Sequence, residues 1–525
     1  MLPKKILKNR FKNISFYGII IFMKVHLAGY NVDTEVLDEI EQKCGKRSDL
    51  TPEVISAAYA RISRDPRPIS EIRRDARSEV ERSRKSNSTI IFKMGHHSVA
   101  EHAVFNLDIL GVSRFVIEEL EKFRLCSYTE KSQRYITLDK DFVIPEEIKG
   151  TSLQGLFLDM IGRQNEAYFK LYDKLRDYVF TKYHELAQNP KKHNLLEGWA
   201  KEDARYVTSL ATESQVGQTI NARNLELLLR RFASHPLTEV KELGRAIYAQ
   251  IACVAPSIVL FNQANDRDIK TYPALKKLAA EFIEKDEGVF LNKDKDIELV
   301  EYTEDGDDVI CAALLHTSSN LPYKQCIAII KKMPHREKIR FFNATWQNMQ
   351  FYDSMLREFE YANLTFSVVL SSAAFGQLKR HRMSTITAQE YHPRLGVTIP
   401  QSIKEIGMDD YFMEIVKATN EVYHKINEEI PQVAPYVLTN AHRKRVLIRL
   451  NARELYHISR LREDAHAQWD ISNISRAMVE EAKQVMPLTF ALIGGKDKYN
   501  EIYKSIYGQP PKVTEAVLPG ARNIK

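Results

Sequence analysis

Two polar stretches, KFRLCSYTEKSQRY (Lys122–Tyr135) and KRHRMSTITAQEYHP (Lys379–Pro393), share one pattern and organise the rest of the chain. Each follows an apolar run and packs cations, hydroxyls and a carboxylate into a short segment. Arginine offers a planar fork of donors for a phosphate or a pyrimidine edge, and hydroxyls complete the shell around an anion. The pattern therefore predicts two segments that bind an anionic nucleotide.

Size and composition indicate a soluble globular protein. The 525 residues are 44% hydrophobic and 28% charged, which excludes a disordered or membrane chain. The length fits about three domains or two larger ones. A net charge of +7 suits anionic small molecules better than nucleic acid, since nucleic-acid binders concentrate their cations in tracts.

The cysteines argue against a disulfide framework or a zinc site. They lack C-x-x-C spacing and favour a reducing compartment. They are Cys44, Cys126, Cys253, Cys311 and Cys326.

The N-terminus opens with a basic stretch and a short apolar run, FYGIIIF, without a small-residue cleavage site after it. Met23 then precedes KVHLAGY, an alternating strand-like segment. We therefore predict an extension over 1–22 rather than a secretory signal. No run reaches the roughly 20 apolar residues of a membrane span, so we expect a cytoplasmic protein without membrane contact.

The order of landmarks repeats along the chain. A strand over Lys24–Tyr30 and a helical stretch over Thr51–Ala76 precede the first polar stretch, and a strand over Ile297–Thr303 and an F-E-Y-A-N-L-T-F strand precede the second. Each polar stretch is followed by an Asn-Ala-Arg segment, at Asn221 and at Asn451. We predict domains over 23–262 and 297–507, a linker over 263–296 and a tail over 508–525.

The polar stretches resemble the signature of the flavin-dependent thymidylate synthases, R-H-R-x-x-S-x-x-E-x-S-x-R, and each copy departs from it at a different end. The first keeps the later positions but has Lys122 and Phe123 in place of the first Arg and the His. The second keeps R-H-R but loses the later positions. The retained residues are Arg124, Ser127, Glu130, Ser132 and Arg134 in the first copy and Arg380, His381 and Arg382 in the second; the second copy's replacements are Thr385, Ala388, Glu390 and His392.

The segment LNARELYHISRLREDAHAQWDI, Leu450–Ile471, closely resembles the long helix of the same family. At about 100° per residue a continuous helix would place Asn451, Arg462 and His466 on one face. In the first half Arg205, Asn221, Arg223, Arg231 and His235 recur in what reads as a helical pattern.

A histidine cluster, KMGHHSVAEH, precedes the first signature. Its spacing matches neither H-E-x-x-H nor H-x-x-E-H, so we predict no metal site. The resemblance implies that His96, Ser98, Glu101 and His102 line or support a flavin pocket. A buried, hydrogen-bonded histidine is the alternative for His102.

The resemblance implies an α+β fold of two tandem domains, each a mostly antiparallel sheet with long packed helices. It also implies reductive methylation of dUMP to dTMP, with methylenetetrahydrofolate as carbon donor, FAD as hydride carrier and NADPH as reductant. The family's homotetramers share active sites between subunits. The tandem chain is therefore expected to form a homodimer, a pseudo-tetramer with composite sites.

The family's site residues carry over onto both halves. Arg462 is the catalytic candidate. The dUMP-binding candidates are Gln377, Arg380, Glu130, Lys131, Ser132, Gln133, Arg134, Arg205 and Arg462. The FAD-binding candidates are Ser98, Glu130, Arg380, His381, Arg382, Asn221, Arg223, Asn451, Arg453, His457 and His466. Pro435 stands at the counterpart of Arg205, and Tyr361 at that of His102.

Other functions remain open from the residues alone. The losses at Lys122 and Phe123 also fit a catalytically inactive nucleotide-binding regulator or scaffold, or methyl transfer to another uracil-containing substrate. Cys126 could be read as a nucleophile, but cysteine is commonly a small buried hydrophobe.

Overall fold

The computed structural model describes residues 23–30, 51–61, 65–67, 69–134, 141–284 and 295–512. The predicted extension over 1–22 lies outside these ranges, as do parts of the predicted linker and tail. The chain divides into two compact units. The first contains the described residues up to 284 together with 399–440, and the second contains 295–398 and 441–512.

The first half of the chain forms four strands and ten α-helices within the described residues. They are β1 (Lys24–Tyr30), α1 (Glu53–Arg61), α2 (Ile69–Ser78), α3 (Val80–Ser88), β2 (Val104–Ser113), α4 (Arg114–Leu120), β3 (Cys126–Glu130), α5 (Leu153–Lys182), α6 (His184–Ala187), α7 (His193–Ala204), β4 (Glu213–Asn221), α8 (Ala222–Ala233), α9 (Thr238–Ala252) and α10 (Asp266–Ile283).

The second half repeats the strand pattern. Its elements are β5 (Ile297–Tyr302), α11 (Gly306–Thr317), α12 (Tyr323–Lys332), α13 (His335–Trp346), β6 (Asn363–Ser371), α14 (Ser372–Leu378), β7 (Thr385–Ala388), α15 (Gln401–Glu405), α16 (Asp409–Glu429), β8 (Arg443–Asn451), α17 (Ala452–Arg462), α18 (Trp469–Val485) and α19 (Tyr499–Tyr507). Helices α15 and α16 fall within the first unit.

Each unit contains one antiparallel four-stranded sheet. The strand orders are β1-β2-β4-β3 and β5-β6-β8-β7, which are equivalent. Ser127 of β3 lies opposite Thr219, and Thr385 of β7 lies opposite Arg449; each partner comes two positions before the Asn of Asn-Ala-Arg. The α+β fold with two similar domains is confirmed, and the register aligns the two signatures residue for residue.

The Asn-Ala-Arg segments begin helices because their asparagines are caps. The side chain of Asn221 accepts a hydrogen bond from the backbone N–H of Asn224 at 3.0 Å, and that of Asn451 accepts from Glu454 at 2.9 Å. Such a cap satisfies a backbone donor that the first turn of a helix leaves without an intrahelical partner. Both asparagines therefore fix the point where a central strand turns into a helix.

Within the first unit, elements of the second half pair with their own counterparts in the first half. Helices α5 and α16 pack together, and Gln164 donates to Thr419 at 2.9 Å; both residues lie the same distance after an Ile-Pro pair. Ser209 forms a β-bridge with Thr439, again its counterpart. Contacts between equivalent residues are the mark of a two-fold relation, so this unit contains a local pseudo-two-fold packing.

Several sequence expectations about element boundaries need correction. Helix α17 ends at Arg462, so His466 lies in the following turn and Asn451 is the cap, not part of one continuous face. Gln468 caps the next helix, accepting from the N–H groups of Asp470 and Ile471, which separates what looked like one long helix. The predicted F-E-Y-A-N-L-T-F strand begins only at Asn363, after a 3-10 turn.

In the first half, strand β4 interrupts the expected helical pattern. Arg205 lies in a 3-10 turn before the strand, whereas Arg223 lies in helix α8 after it. The expected helical run over Thr51–Ala76 is two helices, α1 and α2. The predicted linker contains an 18-residue helix, α10, whose weak periodicity and internal Pro273 obscured it in the sequence.

Candidate functional site

The second unit holds Arg462 at the end of helix α17 against the R-H-R segment. Its Nε donates to Nε2 of His381 at 2.9 Å, and one Nη donates to the carbonyl of Gln377 at 3.1 Å. A second contact joins the guanidinium to the Gln377 side chain at 3.4 Å. The predicted residues Arg462, His381 and Gln377 are therefore brought together, and the guanidinium is oriented by two planar partners.

His381 is held neutral by its surroundings. Burial lowers the pKa of His381 well below its usual value, and the neighbouring Arg462 and His457 lower this pKa further. A neutral imidazole has one acceptor nitrogen, and here that acceptor receives the Arg462 N–H. Glu454 lies 3.7 Å from the other ring nitrogen, on the side where the remaining ring proton belongs.

A groove of about 450 Å³ lies beside this cluster in the second unit. Its lining combines exposed aromatic rings with an amide, an imidazole and cations. The residues that line it include Phe351, Tyr352, Glu360, Asn451, Arg453 and His457. Three predicted flavin residues thus share one cavity, whereas His466 is exposed and does not line it.

Arg453 is fixed in this groove by an ion pair with Glu360 at 2.7 Å and a hydrogen bond to the carbonyl of Met355 at 2.8 Å. Its counterpart Arg223 forms the equivalent ion pair with Glu101 in the first unit. The two copies therefore retain the same arginine–glutamate pair after the Asn cap. The resemblance to the family implies that Glu101 lies near the flavin, but it does not predict the ion pair between Glu101 and Arg223.

The first unit holds the retained end of the other signature. Arg134 forms an ion pair with Glu202, and Glu130 lies 3.5 Å from Arg114, both side chains being nearly inaccessible. Arg205 lies in the same neighbourhood, since Arg114 and Arg134 both act on its charge. Among these described residues, three guanidinium groups lie with two carboxylates, and such a concentration of arginines suits an anionic ligand.

Arg205 is buried, and burial lowers its pKa, with Arg114 and Arg134 adding to the effect. Its Nε donates to the carbonyl of Glu202 at 3.2 Å. Within the described residues, its Nη2 is buried without a hydrogen-bond partner. A buried guanidinium N–H normally has a partner, and an oxyanion would supply one.

Asn440, which belongs to the second half of the sequence, organises this cluster. Its Oδ1 accepts from Nε of Arg114 at 2.7 Å, and its Nδ2 donates to the carbonyl of Arg205 at 3.0 Å and to Gln133 at 3.3 Å. The side chain is completely buried. The role of Asn440 could not be predicted from the signatures because this residue lies outside both of them. The sequence offers one indication, which is that Asn440 is polar where the equivalent residue of the first half is Leu210.

The two copies lose opposite parts of the pattern. Phe123 and Phe232 stand at the positions of His381 and Arg462, and their rings contact each other with centroids 6.0 Å apart. The polar pair of the second copy is thus an apolar pair in the first. Pro435 lies in a buried 3-10 turn equivalent to that of Arg205, so the second copy lacks that guanidinium.

The remaining predicted residues range from buried to exposed. Lys131 and Ser132 are partly buried, and Gln133 is buried. Arg380 is exposed, with its Nε donating to the carbonyl of Gly376 at 3.2 Å. Other predicted residues lie exposed: Ser98, Arg223, Arg382, His457 and His466.

The histidine cluster of the first unit is not buried. His96 and His102 are exposed, and the ring of His102 packs edge-on against Tyr59 at 4.6 Å. The alternative of a buried, satisfied His102 is therefore wrong. Over the described part of the chain, no group of three or more His, Cys, Asp or Glu side chains could hold a metal ion.

These features define a duplicated α+β protein in which each copy keeps a different part of an arginine-rich signature. The sequence profile described as thymidylate synthase complementing protein matches residues 48–257 and 298–488. The chain belongs to this family. None of the helices within the described ranges is both long and apolar enough to span a bilayer.

Two relatives with different names are similar to this chain over different lengths. A UPF0159 protein of Thermoplasma acidophilum is 23% identical, with 84% of this chain and 94% of that protein covered. A protein of Clostridium tetani named flavin-dependent thymidylate synthase is 30% identical over 40% of this chain and 82% of its own length. A solved structure of a UMP/dUMP methylase from Streptomyces cacaoi aligns with a TM-score of 0.32 at 19% identity, covering 45% of this chain and 93% of that chain.

Proposed function

We propose that this protein is a flavin-dependent thymidylate synthase, which methylates dUMP reductively to dTMP. The observation that carries the proposal is the complementary retention of site residues. The Arg462–His381 pair survives only in the second copy, and the buried Arg205 survives only in the first. A chain that had lost its activity would have no reason to keep one complete set distributed over two copies.

The first unit supplies the nucleotide phosphate site in this proposal. Arg134, Arg205 and Ser132 bind the phosphate, because guanidinium and hydroxyl groups match its oxygens. The buried Nη2 of Arg205, which has no partner among the described residues, donates to it. Lys131, Gln133 and Glu130 complete the nucleotide contacts, with Glu130 reaching the ribose or the flavin.

The second unit supplies the activating group. Arg462 holds the uracil edge with Gln377 and Arg380 and stabilises the negative charge that develops at the ring when N3 is polarised. A guanidinium does this without losing its own proton. His381 orients the guanidinium, and its lowered pKa keeps it an acceptor at neutral pH.

The groove beside Arg462 fits a flavin. Its exposed aromatic rings can cover an apolar ring system, and Asn451, Arg453 and His457 supply polar contacts at its wall. Bound there, FAD would supply the hydride transfer. In this proposal His381, Arg382 and His466 of the second copy also contact the flavin. Ser98, Asn221 and Arg223 are the flavin-binding candidates of the first copy.

The assembly completes the proposal. Composite sites draw on both predicted domains, 23–262 and 297–507, in a homodimer that acts as a pseudo-tetramer in the cytoplasm. Methylenetetrahydrofolate gives the carbon and NADPH the electrons. The pseudo-two-fold packing of α5 against α16 supports this view, since it reproduces inside one chain a contact between equivalent elements.

The experiment measures tritium release from C5-labelled dUMP by the purified full chain with FAD, NADPH and methylenetetrahydrofolate. We expect turnover by the wild type. Arg462→Ala should lower it at least about 100-fold, the cost of removing one preorganised charge-stabilising donor. Phe232→Leu is the matched control at the equivalent position of the first copy and should keep the wild-type rate.

The purified protein's absorbance separates this proposal from its alternative. A flavin band at about 450 nm together with turnover supports the synthase. A wild type that binds dUMP but has neither band nor turnover is instead a nucleotide-binding regulator. Turnover that persists in Arg462→Ala contradicts the catalytic assignment.

A further inference from the structure

A buried carboxylate, Glu454, lies next to the His381–Arg462 pair of the second unit. The side chain of Glu454 is 7% exposed and that of His381 2%. Glu454 also lines the groove, together with Arg453 and His457. The carboxylate therefore borders both the groove and the imidazole that contacts Arg462.

The contact with Arg462 determines which ring nitrogen of His381 carries the proton. The Nε of Arg462 is a donor and lies 2.9 Å from Nε2 of His381, so Nε2 is the acceptor. A neutral imidazole then holds its proton on Nδ1. This Nδ1 is buried, and among the described residues it has no hydrogen-bond partner. Because a buried donor without a partner is costly, the ring needs an acceptor on its Nδ1 side.

Glu454 offers that acceptor. Its Oε1 lies 3.7 Å from Nδ1 of His381. This distance is about 0.7 Å longer than a normal N–H···O bond, and a small rotation of the glutamate side chain is enough to close it. Burial raises the pKa of Glu454, and the charges of His457 and Arg453 oppose this effect. Since a carboxyl group keeps an accepting oxygen in either protonation state, Glu454 can accept from Nδ1 whether or not it is ionised.

The two copies of the chain differ at all three positions of this arrangement. Glu454 comes three residues after the cap Asn451, and the equivalent residue of the first copy is Asn224. The first copy also has Phe123 and Phe232 in place of the imidazole and the guanidinium. The carboxylate is therefore present in the copy that has an imidazole to orient, and it is replaced in the copy that has none.

We propose that Glu454 is a positioning residue, which accepts the Nδ1–H of His381 and so keeps Nε2 unprotonated for the Arg462 N–H. This role rests on the proposed function, in which Arg462 polarises the uracil ring. Without the acceptor, the proton of the imidazole can move to Nε2. Two N–H groups would then face each other, and the guanidinium would lose the partner that orients it.

Nitrogen NMR of the full chain, labelled isotopically at its histidines, tests this role, because protonated and unprotonated ring nitrogens give separate signals. His381→Phe introduces the residue of the first copy and identifies the signals of His381. We expect the Nδ1–H form in the wild type. Glu454→Leu removes the buried acceptor and should raise the fraction of the Nε2–H form about tenfold or more. Glu454→Gln keeps an accepting oxygen and should retain the wild-type signals.

Asn224→Leu, at the equivalent position of the first copy, is the matched control and should leave the signals of His381 unchanged. A glutamate three residues after an N-cap can also bond back to the N–H of the cap residue. If Glu454 served only this purpose, Glu454→Leu would lower stability and keep the wild-type signals of His381, which overturns the proposal. A wild-type ring protonated at Nε2 overturns it as well.

The tritium assay measures the consequence for activity. Glu454→Leu should lower the rate of tritium release about tenfold or more, because the guanidinium loses its orienting partner, whereas Glu454→Gln should stay close to the wild-type rate. Equal losses in both variants contradict the positioning role. The nitrogen signals require no turnover, so they decide the role of Glu454 even where the assay contradicts the proposed function.

Discussion

At the scale of single residues, one difference between the two copies concerns a pair of side chains in contact. A guanidinium and an imidazole in the second copy correspond to two phenylalanine rings in the first. Phe232 is 2% exposed, and burying an unpaired charge there would be costly. The loss of Arg and His together at these positions therefore leaves an apolar pair in the first copy and no unpaired buried charge.

Asn440 is the residue whose role is easiest to isolate. It bonds Arg114, Gln133 and the backbone of Arg205 from outside the signatures. Asn440→Leu introduces the residue found at its counterpart, Leu210, and leaves several buried polar groups without a partner, at about 1–3 kcal/mol each. We expect the Kd for dUMP to rise about tenfold or more.

Titration calorimetry checks this prediction, with deoxyuridine as the matched ligand. Deoxyuridine lacks the phosphate, so its affinity should change much less than that of dUMP. Equal losses for both ligands would mean that Asn440 supports the fold generally and does not position the phosphate site.

At the scale of elements, a buried carboxylate joins helix α9 to two other segments. Glu239 accepts from the backbone and hydroxyl of Ser113 at 2.7 and 3.0 Å and from Tyr436 at 2.6 Å. Burial raises the pKa of Glu239 from 4.5 to about 6. The corresponding pair in the second unit is Ser371 with Asp470, at 2.5 Å.

The raised pKa predicts a pH dependence of stability. The folded state holds the Glu239 proton more tightly than the unfolded chain, so this contribution is complete below pH 4.5 and is lost as the pH rises through about 6. The loss is about 2 kcal/mol at 1.36 kcal/mol per pKa unit. Glu239→Gln removes the titrating group and should flatten this part of the profile.

Urea unfolding at pH 5 and pH 7 measures the effect as the difference between wild type and Glu239→Gln. Taking the difference removes the contributions of other titrating groups. A wild type that loses no more stability than the variant between these pH values would show that Glu239 is ionised in the fold at little cost.

Elements also show where sequence reasoning succeeds and fails. The two similar α+β domains could be predicted, because the order of strands and polar stretches repeats along the sequence. The caps were missed, since the helical pattern placed Asn451 on a helix face although its side chain caps the helix. The end of helix α17 could not be predicted, because the side chain of Gln468 competes for the backbone donors of Asp470 and Ile471. The contacts of Asn440 depend on residues more than 200 positions away, which no local pattern encodes.

At the scale of the whole molecule, the duplication decides how many sites one chain can form. In the proposed function, each nucleotide site uses Arg205 from the first copy and Arg462 from the second. Pro435 and Phe232 occupy the corresponding positions of the other pair. Because each such site uses one first copy and one second copy, the two domains of one chain provide the residues of one complete site.

This predicts one dUMP per chain, and two per homodimer. A homotetramer with four intact copies would instead bind one nucleotide per domain. Equilibrium titration of the full chain, with the protein concentration taken from amino-acid analysis, gives the stoichiometry. Arg205→Ala should weaken binding about tenfold or more, because a charge-assisted hydrogen bond contributes about 1.5–3 kcal/mol, while Pro435→Ala, its counterpart, should leave both affinity and stoichiometry unchanged. Two equivalent nucleotides per chain would mean that a site containing Pro435 and Phe232 still binds dUMP. The proposal that each site needs Arg205 of one copy and Arg462 of the other would then be wrong.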